Sequence, residues 1–229
     1  MTSLLLASLL FLGIHIFISG TPLRGRLVGM IGEKGYQGLF SVLSLGAIVW
    51  MSIAYGRAPY VALWQPPAFA MWLVPLLVFV AMLLVVIGLT TPNPTSAGAE
   101  GVLKQEQPVR GIVAVTRHPF LWGVAIWALA HLVANGDLAS LLLFGAFLAL
   151  ALIGPHLIDA KRAKRDPEAW ARFAAGTSWL PFLAIVQGRA QLSLKEIGWW
   201  RPLLAVVIYG LFAGFLHLWL FGVSPHPVY

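Results

Sequence analysis

Residues Pro119 to Arg165 read PFLWGVAIWALAHLVANGDLASLLLFGAFLALALIGPHLIDAKRAKR. Two apolar runs, Pro119–Asn135 and Leu138–Ile158, each approach the ~20 residues that a membrane-spanning helix needs. Only the turn Asn135-Gly136-Asp137 separates them, so they are expected to form an antiparallel helical hairpin. Pro119 suits a first helical position, where its missing N–H costs nothing. The second run closes on Lys161, Arg162, Lys164 and Arg165.

The rest of the chain continues this pattern. Further spans are expected at about 3–20, 36–55, 68–89 and 202–223. The first lacks a basic start and a clean small-residue exit, which argues against a cleaved signal peptide. Between the third and fourth spans, Thr90–Thr116 carries Pro92, Pro94, Gly98 and Gly101 and reads as a loop. Segment 159–201 holds the apolar run Trp179–Val186, too short to span, so an interfacial or re-entrant piece is expected. The expected fold is all-α: a polytopic membrane helix bundle of about six transmembrane helices in one domain, residues 1–229.

Composition agrees. Charged residues are 10% against 59% hydrophobic, where a soluble domain carries about 25% charged. With no cysteine, disulfides and thiolate chemistry are excluded. The net charge of +7 need not signal nucleic acid, because excess Lys and Arg in a membrane protein mark cytoplasmic loops. Fourteen of the fifteen basic residues fall in the loops joining spans one–two, three–four and five–six; Arg57 alone lies on the other side. The positive-inside rule then places both termini outside the cytoplasm and favours an even number of spans.

All eight acidic residues fall in expected loops, which leaves little for proton relay or ion transport. Neither a phosphate-binding glycine loop nor a nucleophile elbow is present. Histidine remains. Four of the six, His15, His131, His156 and His217, fall inside expected spans, where a polar ring usually turns inward. Each has a plain reading as a hydrogen bond between helices. Together they also fit metal ligation. A zinc or non-haem iron site would need three of them, and an axial haem pair only two. Counted from the cytoplasmic side, His15 lies roughly 7–8 Å deep, His131 roughly 18 Å and His217 roughly 22 Å. Depth therefore matches His131 to His217 better than to His15. Thr116-Arg117-His118-Pro119 is either a helix start with charged anchors or, through Arg117, a grip on an anion such as a haem propionate. Trp50, Trp72, Trp122 and Trp127 would suit a hydrocarbon ligand but are equally ordinary core or belt residues. Gly13, Gly46, Gly123 and Gly145 would permit close helix contacts.

These landmarks resemble a known family. Ser19-Gly20, Pro22-Leu23-Arg24 and Gly32-Glu33-Lys34, followed by Tyr36 and Leu39-Phe40-Ser41, are similar to the NnrU family. Thr116-Arg117-His118-Pro119 running on to Trp127–Gly136 carries the same likeness. The 15-cis-zeta-carotene isomerases, relatives of that family, share these landmarks and the stretch Gly176–Phe182. The resemblance implies a link to nitric oxide and nitrite metabolism in denitrifying bacteria. From the isomerases it implies a b-type haem held by two histidines and cis–trans isomerisation of a carotenoid-like substrate. One ligand carries over to His131. The position of the other is Ile18 here, and His15, one turn earlier, is its substitute. On this reading His15 and His131 hold the iron, with Arg117, His118, Trp127 and His217 as further cofactor-binding candidates. The Arg-His-Pro helix start also resembles the isoprenylcysteine-type membrane methyltransferases, which bind S-adenosylmethionine; the acid they require would be Asp159 or Glu168. A third class is a non-enzymatic accessory factor for respiratory reductases. The expected setting is the bacterial inner membrane, with both termini periplasmic. Lipid and a hydrophobic small molecule are the expected partners, and nucleic acid is not.

Overall fold

The computed structural model describes residues 1–19 and 21–225; Gly20, His226 and the C-terminal Tyr229 lie outside the described residues. The described chain is helical, and its single β-type pairing is an isolated bridge between Ala62 and Asp137. Helix α1 (Thr2–Gly13) runs on through a π-helical turn, Ile14–Ile18. Next come α2 (Leu23–Gly56) and α3 (Ala70–Thr90), then, after a long connection, the short α4 (Ile112–Val115). The hairpin follows as α5 (Pro119–Asn135) and α6 (Leu138–Arg165). Three short helices, α7 (Pro167–Ala175), α8 (Leu183–Val186) and α9 (Leu194–Ile197), lead to α10 (Trp200–Leu211), which continues through a second π turn, Phe212–Leu216, into α11 (His217–Phe221).

Four of these are long and apolar enough to cross a membrane: α2, α3, α6 and the continuous helix α10–α11. The other two expected spans, Thr2–Ile18 and Pro119–Asn135, are apolar but shorter. Leu45, Val42, Leu89, Leu211, Phe215 and Trp219 are each more than half exposed, a surface that lipid rather than water can cover.

Two expectations change. The basic connection after the first span is largely helical, because α2 starts at Leu23 and bends at Gly32, whose φ of 73° breaks the helical path. Acidic residues are not confined to loops either: Glu33, Asp159 and Glu168 all sit on helices. A helix that leaves hydrocarbon has no reason to stop there, and Ala, Lys and Arg carry α6 on to Arg165. Asp166 then ends it and caps α7 by accepting from the Ala169 N–H at 3.2 Å.

The spans pack in the order α2, α1, α6, α5, α3, α10. Gly123 allows the closest crossing: a Cβ there would meet Val85 Cγ2 at 2.6 Å and the Ala81 carbonyl oxygen at 2.8 Å. Gly13, Gly46 and Gly145 face no comparably close neighbour. Gly136 ends α5 with φ 67°, and a Cβ on it would strike the Trp64 carbonyl. The peptide N–H groups of Leu63 and Trp64 both donate to the Gly136 carbonyl, at 2.8 and 3.0 Å, which ties the α2–α3 loop to the hairpin turn.

Candidate functional site

At the charge-rich end, the backbone between α4 and α5 turns sharply through Thr116, Arg117 and His118. Arg117 donates through Nε and Nη2 to Asp159 Oδ2, at 2.9 and 2.6 Å. His118, 2% exposed, contacts Asp159 Oδ1 through Nε2 at 2.7 Å. Asp159 is one residue beyond Ile158, where the apolar part of α6 ends. Burial alone would push its carboxyl up, but the hydrogen bonds from His118 and Arg117, with their charges, hold it below the usual carboxylate range. The Arg117 guanidinium also lies over the Trp170 ring at 5.7 Å. The Arg117 carbonyl accepts from Asn93 and Thr95, and the Trp179 carbonyl from Thr116 and Trp122, each at 2.7–3.0 Å. From sequence alone Arg117 is either an anchor or an anion grip. In the fold its Nε and Nη2 grip an internal carboxylate, and that carboxylate is one of the two acids the methyltransferase resemblance singled out.

The histidines sit deeper. His15 Nδ1–H donates to the Phe11 carbonyl at 2.8 Å. His131 Nδ1–H donates to the Trp127 carbonyl at 2.9 Å. A carbonyl partner fixes the proton on Nδ1, so each Nε2 presents a lone pair, the form that binds a metal. His217 is set the same way by the Val223 carbonyl at 2.9 Å. His131 stacks on Phe144 and lies against Trp127, with centroids 4.7 and 5.0 Å apart. His15 lies between Phe11 and Phe40. Asn135, one turn after His131, donates to the His131 carbonyl at 2.7 Å.

Phe147 of α6 touches both Phe11, at 4.9 Å, and Trp127, at 5.4 Å, so these three rings share one level. Because α1 and α5 run in opposite directions, His15 lies one turn to one side of that level and His131 one turn to the other. The two imidazoles are therefore about 12 Å apart in depth, with three rings between them. Each ring fits an axial ligand in its protonation, but the pair does not fit the two faces of one haem in this packing. His217 is within electrostatic reach of His131. No group of three or more His, Asp or Glu side chains suited to a metal ion occurs among the described residues. Of the four tryptophans, Trp127 alone adjoins one of these histidines: Trp50 donates to Ser3, Trp72 is largely exposed, and Trp122 stacks on Trp179.

Three features escaped the sequence. Asp159 as the hub of the charged end had one signal, an acid directly after an apolar run. The Phe11–Phe147–Trp127 level had none, since phenylalanine is ordinary in a span. The π turns beside His15 and His217 had none either, although such turns gather at functional sites.

The protein family described as NnrU protein matches residues 3–225. The chain is 26% identical to the chloroplastic 15-cis-zeta-carotene isomerase of Zea mays over 93% of its own length and 59% of that protein. It is 29% identical to the enzyme of the same name from Arabidopsis thaliana, over 97% of its own length and 61% of that protein. The chain thus spans about three-fifths of these curated relatives. No solved structure matches.

Proposed function

Since this chain belongs to the NnrU family, we propose that it is a membrane-embedded, isomerase-like protein that holds a b-type haem through His131 and acts on a polyene of the carotenoid kind. The observation that carries this reading is the seat of His131, with Nδ1–H fixed by the Trp127 carbonyl and the ring held against Phe144. A haem bound there would supply electron exchange with a conjugated double bond. The protein orients the ligand nitrogen, excludes water through the surrounding rings and offers apolar helix faces to a hydrocarbon chain. For the second axial position the candidates are His15 of the first helix and His217 of α11, and the depths counted along the helices favour His217.

The test is spectroscopic. The protein, purified after expression with ample haem, is expected to show a Soret band, and His131→Ala to lose it. His217→Ala should lose the low-spin features while His15→Ala keeps them. An unaltered low-spin spectrum in His131→Ala would remove that residue from the proposal. Nitric oxide, relevant through the family resemblance, should shift the Soret band of the reduced protein and not that of His131→Ala.

A further inference from the structure

A groove of about 320 Å³ runs along α6 beside His15. Its floor is the face of α6 that carries Phe147, Ala151, Gly154 and Ile158, residues three or four apart that line up on a helix. One wall is Phe11, His15 and Ser19 of the first helix; the other is Phe120, Leu121 and Val124 of α5. A π turn takes more residues per turn than an α-helix does, so His15 and Ser19, on either side of most of the turn Ile14–Ile18, share the groove side. The volume lies at the small end of ligand sites, about 300–1,000 Å³. It has room for one ring and the start of a tail, and not for a two-chain lipid.

The lining is apolar apart from His15, Ser19 and Lys161. Lys161 has an interaction of its own within the chain. The other two present open polar atoms. His15 turns its Nδ1–H to the Phe11 carbonyl, so Nε2, at the outer edge of the ring, carries a lone pair. That lone pair meets no hydrogen-bond partner among the described residues, and it is not sealed off as the hydroxyls of Ser8, Ser44 and Thr91 are. Ser41 and Ser52 turn their hydroxyls back to the carbonyl four residues earlier, at 2.8 and 2.9 Å. Ser19 does not, and its Oγ has no partner among the described residues either. An acceptor that faces hydrocarbon gains a hydrogen bond only when the occupant brings a donor. Three phenylalanines share the lining: Phe11, whose ring centroid is 4.5 Å from that of His15 and 4.9 Å from that of Phe147, then Phe147 itself, and Phe120 on the opposite wall. Aromatic pairs gain beyond the area they bury, which favours a planar ring over a flexible chain as the occupant.

We propose that this groove binds a neutral phenol with an apolar tail, the class that includes the hydroquinones of membranes. Its O–H donates to His15 Nε2, Ser19 is its second polar contact, its ring lies among the phenylalanines, and its tail leaves into the lipid. The proposal goes beyond the haem reading and does not rest on it, and it gives His15 a role other than axial ligation. Gly154 keeps the floor open, because a Cβ there would already meet Leu121 Cδ1 at 3.3 Å.

The test is equilibrium binding of radiolabelled 4-dodecylphenol to the full chain in nanodiscs of neutral lipid. The competitors are 4-dodecyltoluene, in which a methyl group of similar size replaces the hydroxyl, and dodecanol, which keeps the hydroxyl and lacks the ring; each is compared at equal mole fraction in the lipid. Saturable phenol binding is expected, with both competitors at least tenfold weaker. His15→Phe should weaken the phenol about tenfold and leave the toluene unchanged. No saturable phenol binding, a toluene or an alcohol as tight as the phenol, or unchanged phenol affinity in His15→Phe would each overturn the proposal. The comparison of phenol with toluene needs no variant, so a poorly folding mutant does not spoil it. The Soret band read on the same samples separates this result from the haem reading: low-spin features are expected to survive in His15→Phe, and their loss would make His15 an iron ligand and overturn the proposal.

Discussion

Asp159 shows how much a single residue can organise. It holds Arg117 and His118, whose segment in turn fastens the loops around Asn93 and Trp179. Asp159→Asn should therefore destabilise the protein by about 1–3 kcal/mol, less than for a fully buried pair because the carboxylate is partly exposed. Thermal unfolding in detergent would show this as a lower Tm. The sign of the pH effect follows from the depressed carboxyl. Its contribution is fully present above the ordinary carboxylate pKa, about 3.9, and is lost as pH falls through the lower folded value. The original protein should lose Tm below about pH 4 and Asp159→Asn should lose less; equal acid sensitivity would remove the carboxylate from the latch. Arg117→Ala should lower Tm too, yet leave the haem content of the folded fraction unchanged. The sequence marked Arg117 and His118 as unusual but could not show what they hold. Their partner is some forty residues away, and pairing across such a distance leaves no trace in spacing or periodicity.

Helix limits were legible where residues punctuate the backbone. Pro119 and Gly136 bracket α5, and its ends fall where the sequence puts them. The limits were blurred where only hydropathy spoke. Apolar runs report the membrane and not the helix, so the extension of α6 to Arg165 and the start of α2 at Leu23 lay outside their reach. The glycines on these elements make firm expectations. Gly136→Ala meets both a left-handed φ and the Trp64 carbonyl, and should cost about 1 kcal/mol or more. Gly123→Ala must push α3 away from α5 and should cost about 1–3 kcal/mol. Either variant with an unchanged Tm would mean that the crossing is looser than drawn here.

For the whole molecule, the class of fold was plain from composition and span lengths, whereas the lateral order of the helices was not, because lipid-facing and buried apolar faces share one alphabet. The histidines show the same limit. Counting along the helices assigns them depths, but the rings packed beside His15 and His131 were invisible. The uneven distribution of Lys and Arg makes orientation a testable prediction. A periplasmic reporter fused after Tyr229 should be active, and one inserted in Lys161–Glu168 inactive; the reverse pattern would invert the molecule.

The lateral order also sets a timetable. Helices α2 and α3 are consecutive in the chain, yet α1, α6 and α5 stand between them, and the loop that joins α2 to α3 is fastened to Gly136. During synthesis, α3 therefore leaves the insertion channel before the helix it packs against exists. At typical elongation rates it waits some seconds in lipid, with Gly88 and Ala81 uncovered. Nascent chains arrested before α5 should expose residues 57–69 to protease from the side opposite the ribosome. Chains arrested beyond α6 should be protected there, because only then is Gly136 in place to receive the loop.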